Sequence, residues 1–543
     1  MNISLYLQSK IKTALEKLST ELDINSIVIE RSKDPVHGDY ATNVAMQLSK
    51  ILKKNPRQIA TELVEALDKT DIEKIEIAGP GFINFFMTSE YLSSIIDDVF
   101  EEQADYGRLK SQNREHINVE FVSANPTGEL HLGHARIAAI GDVICRLYEA
   151  RGFKVTREYY VNDAGVQIYN LAQSIYSRYL GLFGIDRPIP QDGYHSVKII
   201  EVAQIIKNEV GDKFLNDEEA AIAYMTKRGV ELELEGINRD LQLFKVNFDF
   251  FSSEVEIRAN QRVEKFVSSL GDRAYVLDDA TFLKTTLHGD DKDRVIVKSN
   301  GEFTYFTPDI VYHLDKLSRG YDKLIDVLGA DHHGYIARMK AALMMFGYPS
   351  DVLHVELIQM VRLIQNGQEV KMSKRTGNAI TLRELVEEVG VDAVRYFFVA
   401  RAASGHLDFD IDLAKEASTA NPLYYAQYAH ARLATVLASA LEKGIVIDKD
   451  PTKLTRNEEK ELLKHVIDFA VTVEDAALTR SPYKVANYVQ RLASLIHTFY
   501  TECRILDSED VKTTASRLAL AKASMIVMAN ALGLLGVSAP NKM

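Results

Sequence analysis

At 543 residues, with 46% hydrophobic and 26% charged side chains, the chain has the make-up of an ordinary soluble protein of about three or four domains. A formal net charge of −13 argues against indiscriminate coating of nucleic acid. The acidity lies in the first 420 residues, because 421–543 carry 15 Lys and Arg against 13 Asp and Glu, so one specific RNA partner stays open.

Residues 1–110 read as a small α+β domain. Leu5, Ile11, Leu15 and Leu18 mark an opening amphipathic helix, and Met1 to Thr13 holds no apolar signal core. Ile27-Val28-Ile29 reads as a strand, Asn43 to Leu52 as a second helix, and Pro56 opens a third. Ile75-Glu76-Ile77 and Phe82 to Phe86 flank the turn Gly79-Pro80-Gly81 and suggest a hairpin or meander. The run His37-Gly38-Asp39-Tyr40-Ala41-Thr42-Asn43 looks chosen for more than packing.

The chain is organised around 117–152. Ile117, Val119 and Phe121 alternate with Asn118 and Glu120 as a short half-buried strand. A turn follows, Ala124-Asn125-Pro126-Thr127-Gly128-Glu129-Leu130-His131-Leu132-Gly133-His134, and then a helical face of Ala135, Ile140, Val143, Ile144 and Leu147. The first turn of such a helix presents unpaired N–H groups and partial positive charge, which makes it an anion site.

Val155 to Tyr160 gives the next strand, with Asn162-Asp163 at its carboxyl end, where open α/β sheets place ligands. Residues 167–290 read as a mainly helical insertion without the cysteine clusters of a zinc-bearing one; Cys145 and Cys503 are the only cysteines and suit a reducing cytosol. Arg294 to Lys298 and Phe303 to Phe306 read as a hairpin around Asn300-Gly301. Thr307 as N-cap and Pro308 as first residue start a helix that carries Tyr305 and Asp309 toward one end of the sheet. Lys323 to Leu328 is a strand running into Gly329-Ala330-Asp331-His332, and a carboxylate there suits a ribose.

Lys371-Met372-Ser373-Lys374-Arg375 follows a strand, Val355 to Leu363, and a turn at Asn366-Gly367. Two ammonium groups three residues apart can flank a triphosphate as point charges. Leu382 to Val389 and Val391 to Phe397 read as helices either side of Gly390, and His406 to Asp410 as a linker strand. After Pro422 the chain reads as nearly all helix: Tyr424 to Leu441, Arg456 to Ala476, Pro482 to Cys503 and Val511 to Leu535. The most apolar run, Ala523 to Val537, is short for a bilayer and contains Asn530, so it reads as a buried helix.

His131-Leu132-Gly133-His134 resembles the HIGH motif of class I aminoacyl-tRNA synthetases, and Lys371 to Arg375 resembles their KMSKS motif with Arg in the last place. The longer block from Ala124 to His134 is similar to the arginyl-tRNA synthetase version. The N-terminal runs resemble that family's additional domain, and Asn421 to Arg432 and Leu534 to Met543 resemble its helical anticodon-binding domain. The resemblance spans essentially the whole chain. It implies an α/β fold with a Rossmann-type catalytic domain over 111–400, an N-terminal α+β domain over 1–110 and an all-helical domain over 401–543.

The activity so implied is two-step ligation of L-arginine to its cognate tRNA, using ATP with Mg²⁺ carried by the nucleotide and no zinc. A cytoplasmic monomer is expected, with neither membrane nor DNA as partner. By the same resemblance His131, His134, Lys371 and Lys374 act on the phosphates, with Gly133, Gly329, Asp331, Met372 and Ser373 at the nucleotide. Tyr305 and Asp309 would grip the guanidinium, Glu120 and Asn125 the amino-acid end, and Ser123 and His332 would complete that pocket. Asn84 and Phe86 would meet the tRNA elbow, and Tyr428 and Arg432 the anticodon region. From the residues alone, the chemistry calls only for a polar or basic amino acid. Glu120 also suits an internal strand pair, Asn84 a strand edge, and the Tyr424–Tyr428 stripe a core.

Overall fold

Turn chemistry organises the first 90 residues. The computed structural model describes residues 3–18, 23, 26–32, 35–109, 114–370 and 380–543. Strands β1 (Ile29–Arg31), β2 (Tyr40–Thr42), β3 (Ile72–Ala78) and β4 (Phe82–Met87) form one antiparallel sheet in the order β1-β2-β4-β3. Gly79 and Gly81 close the β3–β4 hairpin at φ 52° and 135°, which side chains disfavour. Helices Ile3–Lys17, Val44–Leu52 and Pro56–Ala66 bury Leu7, Ile11, Leu48 and Leu63 in one core with Ile83 and Phe85.

Eleven further strands follow: β5 (His116–Phe121), β6 (Lys154–Val161), β7 (Phe250–Ser253), β8 (Ala274–Leu277), β9 (Ala280–Leu283), β10 (Arg294–Val297), β11 (Lys323–Gly329), β12 (Leu353–Ile358), β13 (Val361–Gln365), β14 (Gln368–Glu369) and β15 (Leu407–Asp410). Five of them make a parallel sheet in the order β12-β11-β5-β6-β7. The chain runs outward from β5 through β6 to β7, then returns to the other side of β5 for β11 and β12. The winding reverses between β5 and β11, so a crevice opens at their carboxyl ends. That crevice is the site.

The helix Leu132–Ala150 crosses from β5 to β6 and packs tightly on the sheet. A Cβ at Gly141 would lie 2.4 Å from the Phe121 ring. Gly→Ala inside a helix ordinarily gains up to about 1 kcal/mol. Here the clash dominates, and Gly141→Ala is expected to destabilise by about 1–3 kcal/mol, read as a lower urea midpoint. An unchanged or raised midpoint would show that the helix can shift to admit a methyl group.

Several elements differ from expectation. The stretch 167–290 is not helical throughout: after Leu243 the aromatic run at Phe250 supplies β7 to the central sheet, the short helices Glu254–Arg258 and Arg262–Ser268 follow, and β9 pairs with both β8 and β10 in a separate sheet. The Asn300-Gly301 turn forms, with Gly301 at φ 84°, and the hairpin is short: the Lys298 N–H donates to the Glu302 carbonyl at 2.8 Å, the Thr304 N–H to the Ile296 carbonyl at 3.0 Å, and Val297 and Phe303 make an isolated bridge. Tyr305, not Thr307, stands at the position before the next helix, Phe306–Ser318, without a side-chain cap bond, and Thr307 lies inside the helix and donates from Oγ1 to the Ile296 carbonyl. The single strand expected over 355–363 is two, β12 and β13, in different sheets. The linker strand is β15, which pairs in parallel with β13.

C-terminal helices pack back on the crevice-bearing unit. Arg395 is fully buried and donates to Asp142 and to the carbonyls of Phe244 and Leu535. Gly536, at φ 71°, leaves the space its guanidinium occupies; a Cβ there would lie 2.2 Å from it. Val511–Leu534 is the one helix among the described residues long and apolar enough to cross a membrane. It lies against helices Pro422–Glu442, Asn457–Ile467 and Tyr483–Glu502.

Candidate active site

At the end of β5 the backbone turns sharply. The Ser123 N–H donates to the Phe121 carbonyl at 3.0 Å, with Val122 between them at φ 68°. This is the hydrogen bond of a γ-turn with a β-branched residue in the left-handed region, a strained arrangement that persists only where its surroundings enforce it. Ser123 Oγ supplies part of that enforcement, accepting from the Tyr160 N–H at 3.1 Å and donating to Glu120 Oε1 at 3.0 Å. Glu120 Oε2 lies 2.5 Å from Lys316 Nζ. Glu120 is therefore internally paired and also lines the crevice.

The chain then enters its long helix through His131. His131 Nδ1 accepts from the Gly133 N–H at 3.1 Å, and His134 Nδ1 accepts from the His131 N–H at 3.4 Å, a reciprocal cap. Both Nδ1 atoms accept, so the proton of each neutral ring sits on Nε2. The rings stack at 3.7 Å between centroids. Burial pushes His134 down to about 4, with His131 adding to the shift, and burial also lowers His131. Both are neutral at pH 7. A Cβ at Gly133 would lie 3.0 Å from His131 Cε1, so the bare glycine leaves room for the stack.

The facing wall is the helix Phe306–Ser318. Tyr305 stands 88% exposed at its start, on the rim of the cleft. One turn on, burial pushes the Asp309 carboxyl up to about 6, with His313 opposing and Glu120 reinforcing the shift. His313 Nε2 lies 2.8 Å from Asp326 Oδ2 and its Nδ1 2.8 Å from the Asp309 carbonyl. Both partners are acceptors, so the ring carries both protons. Burial opposes that charge and Asp326 outweighs it, raising the His313 pKa. Asp326 is itself held below the usual carboxylate range, because Lys316 and His313 overcome the cost of its burial.

The third side is the end of β11. Gly329 leads into a short turn, Ala330–His332, and a Cβ at 329 would lie 2.5 Å from Asp331 Oδ1. Asp331 is exposed to the cleft, with His332 Nε2 3.6 Å away. Together these elements enclose about 1100 Å³.

Of the expected site residues, the fold gathers Glu120, Ser123, His131, Gly133, His134, Tyr305, Asp309, Gly329, Asp331 and His332 around this one space. Asn125 stands exposed on the turn above, donates to Gln167 Oε1 at 2.8 Å and is not among the lining residues. Lys371, Met372, Ser373, Lys374 and Arg375 lie outside the described residues. The chain on either side of them is anchored beside the histidines. Val370 bonds to the Leu363 carbonyl, the Leu382 N–H donates to the Leu130 carbonyl at 2.7 Å, and Thr381 bridges to His131. Arg136, on the histidine helix, donates to the carbonyls of Gln359, Ala402 and Gly405 and so ties that helix to the β13–β15 sheet.

Away from the cleft, Asn84 is a correction. It lies on β4, inside the sheet between β2 and β3, and is 4% exposed, so neither an RNA contact nor a strand edge describes it. Phe86 is partly exposed, with the Lys74 ammonium 5.1 Å from its ring. Tyr428 is half-buried and stacks on Tyr424, and Arg432 lies 4.7 Å from the Tyr428 ring and 4.3 Å from the Tyr500 ring.

Sequence reasoning missed Tyr312, His313 and Asp326, which line the cleft, and Lys316, buried behind them. A signal existed: Asp309, Tyr312, His313 and Lys316 repeat at helical spacing, putting polar groups on the face that should have been apolar.

The family model for the catalytic domain of class I (R) tRNA synthetases matches residues 96–397, and models for the arginyl tRNA synthetase N terminal domain and the DALR anticodon binding domain match 5–87 and 426–543. A parallel sheet with its crevice at the winding reversal, entered by paired histidines, is thus the catalytic core of a class I aminoacyl-tRNA synthetase. The arginine--tRNA ligase of Bacillus subtilis strain 168 is 49% identical over 546 residues, covering 99% of this chain and 98% of that protein. That of Shouchella clausii is 51% identical over 534 residues, covering 97% and 96%. The chain belongs to the arginyl-tRNA synthetase family. The solved arginyl-tRNA synthetase of Thermus thermophilus shares the fold, with a TM-score of 0.78 across 100% of both chains at 21% identity.

Proposed function

We infer that this protein ligates L-arginine to its cognate tRNA in two steps, ATP-dependent formation of arginyl-adenylate with release of pyrophosphate, then transfer to the tRNA 3′ end with release of AMP. The observation that carries this reading is one cleft holding neutral paired histidines on one side and the carboxylates Glu120, Asp309 and Asp326 on the other. The first wall suits phosphates and the second suits a permanent cation.

In the first step an arginine carboxylate oxygen attacks the α-phosphorus of ATP, and the bond to the pyrophosphate oxygen breaks. The nucleophile is already ionised, so alignment and stabilisation of charge on the phosphates supply the rate. His131 and His134 donate from Nε2 to phosphate oxygens, and Gly133 lets the nucleotide lie against the helix start. Asp331 beside Gly329 takes the ribose hydroxyls. Lys371 and Lys374, with Met372 and Ser373, close over the leaving pyrophosphate; Mg²⁺ arrives with ATP, and no zinc takes part. Asp309 and Tyr305 take the guanidinium, whose five donors need acceptor partners. Glu120 and Ser123 meet the α-amino end, and His332 borders that pocket.

In the second step a 3′-terminal hydroxyl of the tRNA attacks the adenylate carbonyl and AMP leaves. Phe86 reaches the tRNA elbow, and Tyr428 and Arg432 the anticodon arm, by stacking. The division of labour follows residues 1–110, 111–400 and 401–543. The enzyme works as a cytoplasmic monomer, with neither membrane nor DNA as partner.

Arginine-dependent ATP–pyrophosphate exchange, with cognate tRNA supplied, tests this directly. Exchange is expected with arginine and not with lysine or cysteine. Equal exchange with those amino acids would overturn the substrate, and none at all would leave a tRNA-binding protein without the activity.

A further inference from the structure

Lys316 is a fully buried ammonium behind the Glu120 and Asp326 side chains that line a cleft read as binding a cation. Its Nζ lies 2.5 Å from Glu120 Oε2, 3.1 Å from Asp326 Oδ1 and 4.4 Å from the Tyr312 ring centroid. A buried ion pair is weak evidence for stability, because an apolar pair of similar volume often serves as well. The retained charge calls for another account, and three observations supply it.

Glu120 is gripped from both sides, by Lys316 on one oxygen and by Ser123 Oγ on the other. Ser123 is in turn fixed by the Tyr160 N–H at the strained turn after β5. The grip on Lys316 continues through Asp326 and His313 to the Asp309 carbonyl, so one unbroken run of hydrogen bonds joins Asp309 to Glu120. Asp309, His313 and Lys316 all stand on one face of the helix Phe306–Ser318. That helix therefore sets the separation between the carboxylate for the guanidinium and the carboxylate for the amino-acid end.

We propose that Lys316 is a positioning residue for amino-acid selection: it fixes the Glu120 carboxylate where the α-amino group of arginine is read. The inference rests on the assignment of Glu120 to the amino-acid end made above, and the test separates the two.

The readout is a ratio, the inhibition constant of 5-guanidinopentanoate, which is arginine without its α-amino group, over the KM for arginine in exchange. Both ligands fill the guanidinium pocket, so general loosening weakens both and leaves the ratio unmoved. In Lys316→Met the ratio is expected to fall roughly 10- to 100-fold, the range for a hydrogen bond to a charged group, while the KM for ATP holds. Glu120→Gln is expected to lower the ratio equally, and the double substitution to lower it no further. If Lys316→Met fails to fold, Lys316→Gln combined with Asp326→Asn removes one charge of each sign and is read in the same way. A ratio that falls in Glu120→Gln but not in the Lys316 variants overturns the role of Lys316. A ratio unmoved by Glu120→Gln overturns the assignment of Glu120 itself, and the inference with it.

Discussion

Replacing His134 with alanine is expected to slow arginine-dependent exchange by roughly 10²–10³, the cost of one preorganised donor, with arginine affinity nearly unchanged. The ring has two jobs, and the prediction separates them. Its Nδ1 closes the helix cap by accepting from the His131 N–H, and its Nε2–H is left for a phosphate. Losing a cap costs about 1 kcal/mol. His131→Asn provides the control: asparagine is a good N-cap with no imidazole donor, so it should keep the thermal midpoint within a few degrees and still lose the rate. An alanine variant that melts early but retains full exchange would make the histidines a cap and nothing more. Burial holds His134 near 4 against an ordinary value of 6.5. A depressed pKa contributes stability that is present above pH 6.5 and lost as pH falls toward 4. A histidine proton-resonance titration should therefore show this residue still neutral at pH 6.

The site was legible where local rules suffice. A strand of alternating residues, a glycine-bearing turn and a 3.6-residue repeat locate His131, Gly133 and His134 without knowledge of any distant partner. Asp331 was legible for the same reason, as a carboxylate one step past a strand and beside a glycine. What stayed hidden depends on pairings across the chain. Lys316 meets Glu120 across 196 positions, and nothing local to either residue announces the other. Asn84 was misread because its exposure depends on β4 lying between β2 and β3, an order set by the return of Tyr40–Thr42. Thr307 does not cap its helix because its hydroxyl found the Ile296 carbonyl, a bond set by tertiary packing. The bond from Asn125 to Gln167 was hidden in the same way, because the motif does not reveal where that helix lies.

The strain after β5 belongs to the same argument. A valine at φ 68° costs free energy that an ordinary strand-to-helix connection would avoid. The turn aims Ser123 Oγ back at Glu120, so that free energy is spent on fixing a carboxylate before any substrate arrives. Preorganisation of this kind lowers the ordering cost of binding.

Asp309→Asn is expected to raise the KM for arginine by two to three orders of magnitude, the usual order of effect when one member of a buried charge pair is removed, with the KM for ATP little changed. A pH dependence comes with it. In the arginine-free enzyme burial pushes the Asp309 carboxyl up to about 6, with Glu120 and Glu254 adding to the shift and His313 and Arg338 opposing it. A guanidinium stays charged throughout this range, so arginine favours the ionised carboxylate and pulls its pKa down on binding. Binding then releases a proton wherever the free group is protonated. Affinity should be flat above about pH 7 and fall below about pH 6, approaching tenfold per unit. Arginine KM measured from pH 5 to 8 checks the slope, and calorimetry in two buffers of different ionisation enthalpy counts the proton. In Asp309→Asn both the slope and the proton should disappear together. A wild-type KM that stays level to pH 5, with arginine binding intact in the asparagine variant, would move the guanidinium to another carboxylate of the cleft.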